Sequence, residues 1–210
     1  DYKVKKVTSN LEKCIATPIL TEGSFFPNTY IIELERGCPM RCRFCLTSYI
    51  NNPIRFCTYE KIIEKIDEGL KYTNKIAFLG ALICSHPDID KICKYIIEKV
   101  ESGIELEVSV SSLRADYVSD IMLKMLHLCG QKTATIAVEA GSERLRDVIN
   151  KHLKKENILN IIDKMVSFGF LGLKIYGIIG LPTETYADLD EFMFRLQQLL
   201  GQAVINSEYA

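Results

Sequence analysis

The sequence predicts an α/β fold built on parallel strands, and three observations predict it. Six short β-rich runs recur along the chain, at 29–35, 75–80, 105–110, 133–139, 173–180 and 203–207. Segments with apolar residues at helical spacing lie between them. The composition, 48% hydrophobic and 25% charged, is that of a globular chain with a core to bury. Strand–helix alternation of this kind gives parallel strands joined by crossovers. Two architectures satisfy it, a doubly wound open sheet and a barrel. Six units fall short of the eight of a closed barrel.

The helices follow from their apolar faces. TYEKIIEKIDEGLKYT (58–73) sets Ile62, Ile63, Ile66 and Leu70 on one side, and DIDKICKYIIEKVES (88–102) does the same with Ile89, Ile92, Ile96 and Val100. Cys93 falls on the inner face of the second. Further helices are predicted at 116–128, 142–150, 156–168 and 184–200, the last opening near Thr183 with Glu184 just behind it. Residues 1–28 stand outside the repeat. TPILTEGSFFPN (17–28) carries turn residues, so 1–28 reads as an approach segment or linker to a domain over 29–210. The whole is expected to be one domain or a piece of a larger enzyme.

Charge and hydropathy exclude several function classes. With 26 basic and 27 acidic side chains the net charge is −1, which gives no general grip on nucleic acid or anionic lipid. No apolar run reaches the ~18 residues of a membrane span. The N-terminal DYKVKKVTSNLEK is polar where a signal peptide needs an apolar core. Eight cysteines without a secretion signal point to a reducing compartment, taken as the cytoplasm. There a cysteine cluster binds metal more often than it forms disulfides.

The chemistry concentrates in GCPMRCRFC (37–45), where Cys38, Cys42 and Cys45 are spaced C-x3-C-x2-C after the first strand. Functional loops gather at the C-terminal ends of parallel strands. Thiolates select zinc, copper(I) or iron–sulfur clusters. A structural zinc site wants four ligands, which Cys57 or a distant donor would have to complete. A [4Fe-4S] cube takes one cysteine per iron, so three cysteines leave one iron open to a chelating ligand. A redox pair of Cys42 and Cys45 would leave Cys38 idle. Cys14, Cys57, Cys84, Cys93 and Cys129 read as small buried residues, with Cys84 set apart by its place near the second strand's end. His86, before Pro87, reads as a turn residue.

C-x3-C-x2-C after the first strand, with Phe44 before the last cysteine, resembles the signature of the radical S-adenosylmethionine enzymes. The resemblance runs over roughly 29–207 and implies a partial (β/α)6 barrel of the TIM type with outer helices. It implies a [4Fe-4S] cluster on Cys38, Cys42 and Cys45, with S-adenosylmethionine chelated at the open iron. Reductive cleavage of the sulfonium then yields methionine and a 5′-deoxyadenosyl radical. An electron donor such as flavodoxin or ferredoxin is implied with it.

The same resemblance distributes the cofactor contacts. In FLGALICSHPDI (78–89), Gly80 and Ala81 stand where the family carries a Gly-Gly-Glu-like turn whose carbonyls receive the methionine ammonium; the acidic residue is missing here. In VSVSSLRAD, Ser111, Ser112 and Arg114 follow the third strand, and Arg114 suits the cofactor carboxylate. Glu139, in VEAGSERLRDVINK, corresponds to a ribose contact. In YGIIGLPTET, Gly177, Ile178 and Gly180 resemble a motif that lies along the adenine. These segments look most like the branch whose members carry an N-terminal cobalamin-binding domain, which would lie outside this chain. Substrate and reaction subtype are left open. A methylthiotransferase is the rival enzyme reading, against which stands the lack of a second cysteine cluster. A non-catalytic zinc- or cluster-stabilised binding module is the rival from another class.

Overall fold

The computed structural model describes residues 6–193. Strand β1 (Tyr30–Glu33) pairs in parallel with β4 (Lys75–Leu79), which pairs in parallel with β5 (Glu107–Val110). Strand β6 (Thr133–Glu139) pairs in parallel with β7 (Gly172–Gly177). A parallel bridge from Leu113 to Ile136 links the two sheets, with the Leu113 N–H donating to the Thr135 carbonyl at 2.7 Å. Strand order therefore follows chain order in one direction. A doubly wound sheet reverses at its first strand, so the arc is that of a partial barrel. The strand expected at 203–207 and the far half of the helix expected at 184–200 lie outside the described residues.

Helices α2 (Tyr59–Gly69), α3 (Ile89–Glu101), α4 (Asp120–Leu128), α5 (Glu143–Val148) and α6 (Lys155–Ser167) cover the arc. Their inner faces are those the apolar spacing gives: Ile62 and Ile66 of α2, and Ile89, Ile92, Cys93 and Ile96 of α3, are buried. They close on Ile32, Ile76, Phe78, Val108, Ala134 and Ile136 from the strands in one core. Thr58, Ser119 and Ser142 cap α2, α4 and α5 through their side-chain oxygens, answering N–H groups that have no partner inside the helix.

Several boundaries differ from the sequence reading. The first β-run breaks at Leu34, whose N–H goes to Leu79 O and whose carbonyl takes the Cys57 N–H, each at 2.9 Å. Beyond it a short strand β2 (Glu35–Arg36) turns to pair antiparallel with β3 (Arg55–Phe56). Between them lies a short helix α1 (Thr47–Ile50). Helix α4 starts at Asp120 rather than 116, because Arg114 and Asp116 pair across the preceding turn and Ser119 takes the cap. The strand expected to run to 180 ends at Gly177. The last helix does not open at Thr183, whose φ is +65°. Thr185 precedes it instead, and Asp188 accepts from its N–H at 2.9 Å and its hydroxyl at 2.7 Å, the geometry of a capping box.

The segment before β1 packs on the domain. Ala16 bridges Ile32 antiparallel, Thr17 exchanges hydrogen bonds with Ile31, and Leu11 and Cys14 enter the core. This covers an edge of β1 that would otherwise expose unpaired backbone groups. Among the described residues no helix is long and apolar enough to cross a membrane.

Arg146 on α5 is fully buried. Its Nη1 donates to the carbonyls of Ala140 (2.9 Å) and Gly141 (2.7 Å), and its Nε donates to Leu153 O. The guanidinium thus ties the turn after β6 to the segment entering α6. Replacing it leaves buried carbonyls without donors, so Arg146→Met is expected to cost about 3 kcal/mol of stability, measured as a lowered midpoint in urea unfolding.

Candidate functional site

The C-terminal ends of parallel strands share one rim, and the sequence-predicted residues fall on it. The cysteine loop follows β1 and β2, Gly80 and Ala81 follow β4, Ser111 and Arg114 follow β5, Glu139 ends β6, and Gly177 and Ile178 close β7.

The antiparallel pair β2–β3 brackets the cysteine loop. Gly37 opens it at φ +101°, where a Cβ would sit 2.2 Å from the Asn51 carbonyl oxygen, so only glycine fits. Within the loop Cys45 N–H donates to Cys42 O at 3.0 Å. Tyr49 and Ser48 of α1 donate their hydroxyls to the carbonyls of Arg41 (3.1 Å) and Cys45 (3.2 Å), and further support comes from the far end of α5, more than a hundred residues along the chain. Asn150 donates its side-chain amide to the carbonyls of Met40 (3.1 Å) and Arg41 (2.9 Å). The Arg43 N–H reaches Ile149 O at 2.9 Å. Asn150 has φ +58° just past the helix end, a conformation that asparagine tolerates better than most residues.

All eight cysteines are free thiols. Cys38 and Cys42 are buried and Cys45 is half-buried. Burial pushes the Cys38 and Cys42 thiols above the usual range; the positive charges of Lys151 and Arg114 pull Cys42 back toward thiolate. Among the described residues no three His, Cys, Asp or Glu side chains are placed to hold a single metal ion. Cys57, the candidate fourth zinc ligand, is buried beside Cys14 with its thiol donating to Glu33 O at 3.0 Å. Three soft sulfur donors without a carboxylate or imidazole among them suit an iron–sulfur group better than a closed zinc tetrahedron.

A charged frame surrounds Cys42. Arg114 is buried and pairs with Asp116 (Nε to Oδ1 2.8 Å, Nη2 to Oδ2 3.1 Å), and its Nη2 also donates to Lys151 O. Lys151 is buried too, with Nζ 2.9 Å from Glu139 Oε1. Glu139 lies at φ +71°, past a register shift in β6, and its carbonyl takes the Ile178 N–H at 2.7 Å. A carboxylate residue held in that strained region marks a position the surroundings over-determine.

The remaining predicted residues are less tied. Phe44 is 43% exposed, and Ser111, Ala81 and Gly177 are exposed on the same rim. Ile178 packs partly buried on Ala140, Leu145, Ile149 and Leu181. A Cβ on Gly177 would meet the Phe192 ring at 2.8 Å. Gly180 N–H donates to Glu184 at 2.6 Å.

His86 is buried as part of the fold. Asp88 N–H donates to its Nδ1 at 3.1 Å, which fixes the tautomer with Nε2–H toward Cys57 O at 3.0 Å. Burial keeps this ring neutral by lowering its pKa. Cys84 and Cys129 are buried, and burial pushes each thiol up to about 12. Sequence reasoning missed two residues that support the site: Asn150 and Lys151. Asn150 and Lys151 end the quoted VEAGSERLRDVINK, so the segment was visible but their reach back to the loop was not.

The profile of the Radical SAM superfamily matches residues 32–196. An uncharacterised protein of Methanocaldococcus jannaschii is 36% identical over 181 residues, 85% of this chain and 39% of that protein. The ribosomal protein uS12 methylthiotransferase RimO of Pelotomaculum thermopropionicum is 23% identical over 191 residues, 86% of this chain and 41% of the relative. The chain thus spans about two fifths of the length of these relatives. Among solved structures, the radical S-adenosylmethionine methyltransferase TsrM of Kitasatospora setae superposes with a TM-score of 0.68 at 11% identity, over 80% of this chain and 32% of that one. Fold and sequence agree across the strand–helix arc and the cysteine loop: the chain belongs to the Radical SAM superfamily of enzymes.

Proposed function

We propose that this chain holds a [4Fe-4S] cluster on Cys38, Cys42 and Cys45 and binds S-adenosylmethionine for reductive cleavage to a 5′-deoxyadenosyl radical. The observation that carries this reading is a loop of three free thiols, its backbone held from the far end of α5, in a chain that the Radical SAM profile matches. When bound, the cluster supplies the electron that breaks the sulfonium and an open iron that chelates the methionine moiety.

The chain's own residues bind and orient. Gly80 and Ala81 offer backbone carbonyls near the cluster loop. Arg114, fixed by Asp116, acts as a stationary positive charge for the cofactor carboxylate. Glu139, held on one oxygen by Lys151, accepts from a ribose hydroxyl. Gly177 and Ile178 flank the adenine, with Ser111 and Phe44 on the open side. Lys151 and Arg114 favour thiolate at Cys42, which metal ligation requires. The sheet's open arc admits a substrate that this reading leaves unnamed, and the electron comes from a donor such as flavodoxin or ferredoxin. Eight free thiols fit a reducing, cytoplasmic setting.

Two fates of the radical are suggested by the similar proteins. Relatives named as a ribosomal protein uS12 methylthiotransferase and as tRNA-2-methylthio-N(6)-dimethylallyladenosine synthases match 75–86% of this chain at 23–29% identity, which favours sulfur insertion as a second reading. Solved enzymes with cobalamin share the fold, which agrees with methyl or alkyl transfer through a cobalamin domain outside this chain.

Anaerobic reconstitution is expected to give about four iron and four sulfide per chain, with brown absorbance that dithionite bleaches and 5′-deoxyadenosine on adding S-adenosylmethionine. Cys42→Ala is expected to lose both the cluster and the nucleoside; retention of both contradicts the ligand assignment, and a colourless protein with one zinc supports the binding module. Asn150→Ala removes the two hydrogen bonds that tie α5 to the loop through a side-chain amide. It is expected to lower retained iron per chain after desalting at least several-fold, with the circular dichroism spectrum unchanged.

A further inference from the structure

Five cysteines lie outside the cluster loop, and two of them meet. The edge of β1 turned away from β4 is covered by two segments in succession. The segment before β1 runs antiparallel along it, with Ala16 bridging Ile32 and the Glu33 N–H donating to Ile15 O at 2.9 Å. At Leu34, whose carbonyl takes the Cys57 N–H at 2.9 Å, the end of β3 takes over. The two segments abut there, and each brings a cysteine to the joint. Both thiols donate to one acceptor, the Glu33 carbonyl, Cys14 Sγ at 3.4 Å and Cys57 Sγ at 3.0 Å. Both are buried, 4% and 2% exposed. They also hydrogen-bond each other. Cys14 is the donor that holds the Cys57 thiol below its usual range, and that contact, with burial, raises Cys14. For Cys84, Cys93 and Cys129 burial is the leading influence, and it raises each thiol.

We infer that Cys14 and Cys57 are a redox pair, which a hydroperoxide closes to a disulfide and a thiol reductant reopens, stapling the segment before β1 to β3. In the closing step the Cys57 thiolate attacks one oxygen of hydrogen peroxide. The O–O bond breaks, hydroxide leaves and takes up a proton as water, and Cys57 becomes a sulfenic acid. The Cys14 sulfur then attacks that sulfur, and its proton leaves with the hydroxyl as a second water. Two thiols and one peroxide give one disulfide and two waters, the sulfurs losing the two electrons that the peroxide gains. Hydrogen peroxide is small enough to enter on a brief opening of the segment before β1, which an isolated bridge rather than a full ladder ties down. Because β3 closes the base of the cysteine loop by pairing with β2, the staple acts on an element that carries the loop. It also closes a long stretch of chain, which restricts the unfolded state and so stabilises the folded one.

The test titrates hydrogen peroxide into the anaerobically reconstituted chain until at least one of Cys84, Cys93 and Cys129 has reacted. Remaining thiols are alkylated in denaturant at each step, and the peptides are mapped by mass spectrometry. The inference predicts a peptide pair joining Cys14 to Cys57, lighter by two hydrogens than its reduced parts and released by dithiothreitol. The pair forms while Cys84, Cys93 and Cys129 still alkylate in full. The oxidised chain is expected to unfold at a higher urea midpoint than the same sample after dithiothreitol. Cys14→Ser keeps a donor for Glu33 O and is expected to show neither the cross-link nor the rise, its Cys57 going on to sulfinic acid. Full alkylation of Cys14 and Cys57 after another buried thiol has been oxidised overturns the inference. So does cross-linking of Cys57 to other cysteines as often as to Cys14, and a cross-link that leaves the midpoint unchanged contradicts the staple. The peptide map is read on the wild-type chain, so it decides the matter even where the variant fails to fold.

Discussion

The cysteine loop forms neither strand nor helix over residues 37–46, so its backbone groups must find partners elsewhere. The most distant of these partners is the end of α5. Asn150 and the Ile149 carbonyl take up the backbone of residues 40–43, and the short β2–β3 pair closes the loop at its base. Two segments more than a hundred residues apart thereby become one unit. Arg146, buried on α5, ties that helix to the turn after β6 and to the segment entering α6.

The same arrangement decides the local charge. A buried lysine and a buried arginine stand near Cys42, each matched by an acid, Glu139 and Asp116. Paired in this way the cations persist in a poorly solvated place, and they still favour thiolate at the loop. Glu35 on β2 is also buried but has no such match among the described residues, and burial pushes its carboxyl up to about 7.

Much of the fold was legible because it rests on periodicity. The apolar faces of α2 and α3 and five of the six β-runs are found where spacing placed them. The order of strands was not legible, since alternation alone serves a wound sheet and a barrel equally; pairing in chain order distinguishes them. The break at Leu34 escaped because each strand of the β2–β3 pair is two residues long, too short to show a period. Helix starts moved wherever a side chain competed for the backbone, as Asp188 does at Thr185. In the site, the cysteines were legible from spacing. The electrostatic partners were not, because Lys151 and Asn150 act across distances that only the folded chain closes.

The central claim is that three protein sulfurs hold the cluster and leave one iron for the cofactor. Mössbauer spectroscopy of chain reconstituted with enriched iron tests it most directly. The account predicts that one iron in four is distinct, and that its isomer shift alone moves when S-adenosylmethionine is added. Four irons that all ignore the cofactor, or a fourth site already bound by a protein donor, would contradict it.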